Sequence, residues 1–162
     1  MERREFKLVP NSGIMATQIY QGGEQPNSAY KNIIKLNSNE NPLGPSKYAI
    51  QALKSSFDFL NYYPSSSHKL LRQAIADVHD IDSNQIICGA GSDEIISFIC
   101  QCFCAPDDQV IYTEHGFAMY RISALLRGAI PVKAYENNRI ADVDNILKQC
   151  NYKTKVVFLA NP

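Results

Sequence analysis

The sequence predicts an α/β fold: a parallel-type sheet with flanking helices, preceded by an extended N-terminal arm and a helical segment. Three observations carry the prediction. Short apolar runs recur at 85–88, 109–112, 130–134 and 155–160. Helical apolar periodicity fills the gaps between them. A glycine-rich run, Cys88-Gly89-Ala90-Gly91-Ser92-Asp93-Glu94, stands between the first apolar run and the helix pattern that follows it.

Residues 1 to about 33 lack periodicity and carry Pro10, Gly13, Gly22, Gly23 and Pro26, as an extended arm would. The polar run Asn37-Ser38-Asn39-Glu40-Asn41, closed by Pro42-Leu43-Gly44-Pro45, reads as a loop. Ser46 is placed to cap a helix over about 47–59, with Ala49, Ile50, Leu53 and Phe57 on one face. A second helix opens near Ser67 and carries Leu70, Leu71, Ile75 and Val78 at helical spacing; Tyr62-Tyr63-Pro64-Ser65-Ser66 is the loop between. From residue 85 the order is a strand at 85–88, a helix at 92–104 with Ile95, Ile96, Ile99 and Phe103 inward, and a strand at 109–112. A helix at 117–127 stopped by Gly128, a strand at 130–134, a short helix at 142–149 and a strand at 155–160 follow.

Composition excludes several classes. A 45% hydrophobic and 20% charged chain of 162 residues is globular and long enough for a sizeable core. Sixteen basic and sixteen acidic residues cancel, so no basic face for nucleic acid is implied, and no apolar run approaches the roughly 20 residues of a bilayer span. Five cysteines form an odd set, and no leader-like apolar region opens the chain, so the expected compartment is the cytoplasm. Cys100, Cys102 and Cys104 alternate along a helix, where neighbours point to different faces. They are expected to be small core or helix-end residues rather than metal ligands.

The glycine run has the makings of a phosphate cradle, because a helix opening there aims unpaired backbone N–H groups and the positive end of its dipole at the turn. Alone the signal is weak, because a Gly-Ser turn before a helix is more often an ordinary cap with Ser92 as N-cap. A dinucleotide fingerprint would need a further glycine where Glu94 and Ile95 stand, and a Walker lysine is absent, so a nucleotide-binding fold is disfavoured.

Taken together, Leu36-Asn37-Ser38-Asn39-Glu40-Asn41-Pro42-Leu43-Gly44-Pro45, Tyr63-Pro64, Gly89-Ala90-Gly91-Ser92-Asp93-Glu94, Phe117-Ala118-Met119-Tyr120 and Ala160-Asn161-Pro162 resemble histidinol-phosphate aminotransferase, in order and spacing along nearly the whole chain. The resemblance implies part of the large domain of a fold type I pyridoxal-phosphate enzyme. Its division would be 1–45 as arm and substrate loop, 46–84 as a helical segment, and 85–162 as the first half of the cofactor-binding domain. It implies pyridoxal 5′-phosphate as cofactor, a homodimer, and exchange between histidinol phosphate with 2-oxoglutarate and imidazole-acetol phosphate with glutamate, a step of histidine biosynthesis.

Residue by residue, the resemblance gives Gly91, Ser92 and Asp93 the cofactor phosphate and Phe117 the face of the pyridine ring, where the family usually has tyrosine. It gives Tyr63 the phosphate of the partner subunit's cofactor, and Tyr20 and Asn39 the substrate pocket. Without it, Phe117 would read as core filler and Tyr63 as a loop residue packing its ring. Glu114-His115 departs from the family pattern and reads either as a proton relay or as a solvated loop pair. The family's Schiff-base lysine lies beyond its Asn-Pro-Asn-Asn-Pro-Thr-Gly motif, and none of the ten lysines here has that context. The chain is therefore expected to have no catalytic residue of its own, to be inactive alone and to hold the cofactor weakly. Another fold type I aminotransferase, a phospho-threonine decarboxylase, or a non-catalytic remnant or half-subunit completed by a second chain are the alternative readings.

Overall fold

The computed structural model describes residues 8–20, 22–23 and 33–161. In order these form α1 (Ser12–Met15), α2 (Lys47–Ser55), a 3-10 turn at Phe57–Phe59, α3 (Lys69–His79), a 3-10 turn at Ser83–Gln85, α4 (Gly91–Phe103), β1 (Gln109–Thr113), α5 (Ala118–Leu126), β2 (Ile130–Ala134), α6 (Val143–Gln149) and β3 (Thr154–Phe158). Two compact units result. One is Tyr20–Ile87; the other joins the residues up to Ile19 to those from Cys88 onward. Most of the arm predicted between Gly23 and Ile33, and Pro162 of the terminal motif, lie outside the described residues.

In the sheet unit the strand order is β2-β1-β3, and β1 pairs in parallel with both neighbours. Every residue of β1 is buried, as a central parallel strand covered on both faces requires. Side chains alternate across the strand. Val110 and Tyr112 join Ile96, Cys100, Cys104, Ala124, Ala129 and Phe158 in one cluster, while Ile111 joins Ala134 and Ile146 of α6 in the other. The pairing shifts register between Gln109 and Val110, where the Thr154 hydroxyl donates to Gln109 Oε1 at 2.6 Å. Among the described residues β2 and β3 each pair on one side only.

The helix α4 contributes Ile96 and Cys100 to the core, but Phe103, expected inward, is exposed. Cys100 and Cys104 are buried and Cys102 is exposed, so one face of the helix packs and the other does not. Burial, with the neighbouring Cys104 sulfur, pushes the Cys100 thiol up to about 11. In α5 the buried Ser123 hydroxyl has no hydrogen-bond partner among the described residues. Ser123→Ala is expected to raise stability by about 1 kcal/mol, because an unbonded buried hydroxyl costs more than a methyl group. A urea midpoint that falls on substitution would show that the hydroxyl is bonded.

The arm is not wholly without packed structure. Four residues form α1, and a Cβ at Gly13 would lie 1.9 Å from the Leu125 carbonyl oxygen at the end of α5. So short a helix owes its existence to this contact, because one turn is unstable in isolation and leaves no period to read.

In the other unit Ser46 caps α2 as expected, its hydroxyl accepting from the Tyr48 N–H at 3.2 Å. The helix stops at Ser55, earlier than its predicted end, and continues as the 3-10 turn. Its predicted apolar face stays largely exposed at Ile50, Leu53 and Phe57. Arg72 Nε donates to the Ser83 carbonyl at 3.0 Å, tying α3 to the second 3-10 turn. The strand expected at Gln85–Cys88 does not form. Ser83–Gln85 is a 3-10 turn instead, and Ile86, though extended and buried, has no ladder partner among the described residues; extended backbone without one is not a strand.

Candidate functional site

Four of the predicted site residues lie in the sheet unit, at the starts of α4 and α5. Helix α5 follows β1 and so begins at the carboxyl end of a parallel strand, where the ligands of such folds gather, whereas no strand precedes α4 among the described residues. Helix α4 begins one residue earlier than Ser92, with Ala90 at the N-cap and no side chain capping it. Gly91 has φ +81°, a left-handed backbone that glycine adopts without penalty. Two of the turn's N–H groups are already committed: Gly91 donates to the Gly89 carbonyl at 2.8 Å, and Ala90 donates to Glu94 Oε2 at 2.6 Å. Gly91 therefore shapes the turn without lending its own N–H. Ser92 and Asp93 occupy the helical positions whose N–H groups have no intrahelical acceptor. Their donors, the Ser92 hydroxyl and the positive end of a 13-residue helix suit a phosphate.

Phe117 is the N-cap of α5, half-buried against the core cluster. Its ring meets Tyr120 edge-on, with centroids 6.1 Å apart, and Tyr120 stacks on Phe158 at 4.6 Å. The apolar face is backed by a column of rings, which limits its movement. The turn before it is closed by the Gly116 N–H donating to the Thr113 carbonyl at 2.9 Å. His115 in this turn is bonded to Glu136, not to its neighbour Glu114: its backbone N–H donates to Glu136 Oε1 at 3.0 Å and Nδ1 lies 2.7 Å from Oε2. Glu136 was not singled out in the sequence, where the only hint is an acidic residue just beyond a strand's carboxyl end.

Tyr20, Asn39 and Tyr63 belong to the other unit. Asn39 sits in an exposed loop with φ +51°. The loop is braced by Lys35 paired with Glu40 at 2.9 Å, by Asn41 Oδ1 accepting from the Leu43 N–H at 3.0 Å, and by Gly44 at φ +73°. Tyr63 is fully exposed and Tyr20 about half so. The structure thus groups Gly91, Ser92, Asp93 and Phe117 in one unit, and Tyr20, Asn39 and Tyr63 in the other. No helix among the described residues is long and apolar enough to cross a membrane.

Known proteins sharpen this geometry. Histidinol-phosphate aminotransferase from Ruegeria sp. is 54% identical over 156 residues, which are 96% of this chain and 43% of the relative. The protein of the same name from Paracoccus denitrificans is 44% identical over all 162 residues, 44% of its own length. The chain thus spans less than half the length of these curated relatives. The crystal structure of histidinol-phosphate aminotransferase from Sinorhizobium meliloti in complex with pyridoxal 5′-phosphate superposes with a TM-score of 0.65 and 19% identity, over 68% of this chain and 30% of that one. Aspartate aminotransferase from Thermus thermophilus gives 0.66 and 14%, over 74% and 34%. The architecture is therefore part of the large domain of the fold type I aminotransferases. The profile of the family "Aminotransferase class I and II" matches residues 31–162, which takes in both the Asn39 loop and the α4 turn, and the chain belongs to that family.

Proposed function

We propose that this chain forms the N-terminal portion of a pyridoxal-phosphate-dependent histidinol-phosphate aminotransferase, supplying the phosphate cradle, a ring-stacking face and part of the substrate pocket. The observation that carries the proposal is the start of α4, with no side chain capping it, Gly91 at φ +81° and Ser92 and Asp93 at first-turn positions whose N–H groups have no intrahelical acceptor. The 54% identity to a relative of that name favours histidinol phosphate over other amino donors.

In this reading Ser92 and Asp93 hold the cofactor phosphate through backbone N–H groups, and Phe117 lays its face on the pyridine ring. Tyr63, whose exposed phenol can donate to an anion, reaches the cofactor phosphate of a second subunit. Tyr20 and Asn39 line the substrate pocket. Bound there, pyridoxal phosphate supplies the electron sink for amino-group transfer. This chain's own residues bind and orient; the group that moves the proton comes from elsewhere in the assembled enzyme. A cytoplasmic, homodimeric enzyme of histidine biosynthesis follows from the same reading.

The test joins this chain to the remaining C-terminal part of the Ruegeria relative and assays 2-oxoglutarate-dependent consumption of histidinol phosphate. Activity that falls with Asn39→Ala through a higher KM is the expected result. A folded chimaera that binds the cofactor but leaves histidinol phosphate untouched contradicts the substrate assignment.

A further inference from the structure

The turn between β1 and α5 is held by more than its own backbone. The Glu114 N–H donates to the Ala134 carbonyl at 3.0 Å, which carries the β1–β2 pairing one step past the strands. Beyond that point side chains take over. The Glu136 carboxylate accepts the His115 backbone N–H on one oxygen and faces the His115 ring nitrogen with the other, while the Glu136 N–H donates to Glu114 Oε2 at 3.3 Å. The Thr113 hydroxyl adds a small further preference for the ionised Glu136 carboxylate. An ionised carboxylate only accepts, so Nδ1 of His115 carries the proton between them.

The Glu136 side chain is only 7% exposed, whereas that of His115 is 56% exposed. A carboxylate with so little exposed surface needs donors, and here His115 provides them from its backbone N–H and its ring. Nothing slack separates this grip from Phe117. A Cβ on Gly116 would stand 2.9 Å from the Thr113 carbonyl oxygen and 3.3 Å from the Tyr120 ring, so the chain passes directly from the held His115 into the α5 cap.

We propose that Glu136 and His115 are positioning residues for Phe117: the carboxylate latches the 113–116 turn to the end of β2 and thereby fixes the ring that stacks on the cofactor. This rests on the assignment of Phe117 to the pyridine face. The His115 backbone N–H, then its ring, holds the Glu136 carboxyl below the usual carboxylate range. A lowered value means that the latch stays intact through the usual carboxylate range and is lost only as pH falls below it. The groups facing Glu136 are Glu114, His115 and the Thr113 hydroxyl.

The test uses the 162-residue chain with nitrogen-15 amides and carbon-13 phenylalanine rings, as wild type, Glu136→Ala and Glu136→Gln. Amide exchange at His115 and Phe117, relative to intrinsic rates, is expected to quicken on the order of tenfold in Glu136→Ala. Val110 and Ile111 should be unchanged. Glu136→Gln, which keeps one accepting oxygen, should recover part of the protection. Wild-type protection should be lost in acid, below the usual carboxylate range, and that of Glu136→Gln should not. Exchange at Phe117 that ignores Glu136→Ala overturns the latch. Titration with pyridoxal phosphate separates the two ideas: in wild type both the Ser92 amide and the Phe117 ring should respond, and in Glu136→Ala the ring response should weaken several-fold while that of Ser92 persists. A wild-type Phe117 ring that ignores the cofactor overturns its stacking role even where the exchange results hold.

Discussion

Replacing Gly91 with valine is expected to weaken pyridoxal-phosphate binding by an order of magnitude or more. A Cβ at this position meets nothing within 4 Å, so the penalty is conformational rather than steric crowding by neighbours. At φ +81° an L-residue costs about 1–2 kcal/mol, and a β-branched residue costs more. The chain relieves that strain by rotating the first turn of α4, which turns the Ser92 and Asp93 N–H groups away from a common anion. Gly91→Asn, which tolerates left-handed backbone, should retain most of the binding. Equal affinities for wild type and Gly91→Val, measured by equilibrium dialysis, would remove Gly91 from the cradle.

Ile111→Ala is expected to destabilise the sheet unit by about 3 kcal/mol. The side chain is wholly inaccessible, filling the space between β1, Ala134 of β2 and Ile146 of α6. Its removal loses both the transfer energy of the missing carbons and the contacts around the void. Val157→Ala on β3, where the side chain is 43% exposed, should cost less than about 1 kcal/mol. The cost at Ile111 is a large share of the stability of an ordinary domain. Urea denaturation of the two variants measures the contrast; equal losses would mean that α6 does not cover the sheet.

The elements that were legible are those whose order is local. Val110, Ile111 and Tyr112 announce a buried strand by apolarity alone, and α4, α5 and α6 announce themselves by helical period. Ser46 announces a cap by its chemistry. The run at 85–88 carries the same apolar signal as β1, but a strand is defined by its partner, and pattern cannot say whether a partner lies beside it. Helix α1 escaped because Gly13 contacts Leu125, far along the chain. The site shows the same division. Gly91, Ser92 and Phe117 stand within short motifs that can be read locally. That the Gly91 N–H is spent within its own turn, and that the partner of His115 is Glu136 rather than Glu114, are facts of geometry that no motif encodes.

The proposed role of the start of α4 is to bind the phosphate of pyridoxal phosphate through the Ser92 and Asp93 amides. The most direct measurement is an amide-resolved titration of this chain with pyridoxal phosphate and, in parallel, with pyridoxal, which lacks the phosphate. The Ser92 and Asp93 resonances are expected to move with pyridoxal phosphate, inorganic phosphate to compete for the same shifts, and pyridoxal to leave them in place. Resonances at Ser92 and Asp93 that stay still throughout, or that move equally with pyridoxal, would contradict it.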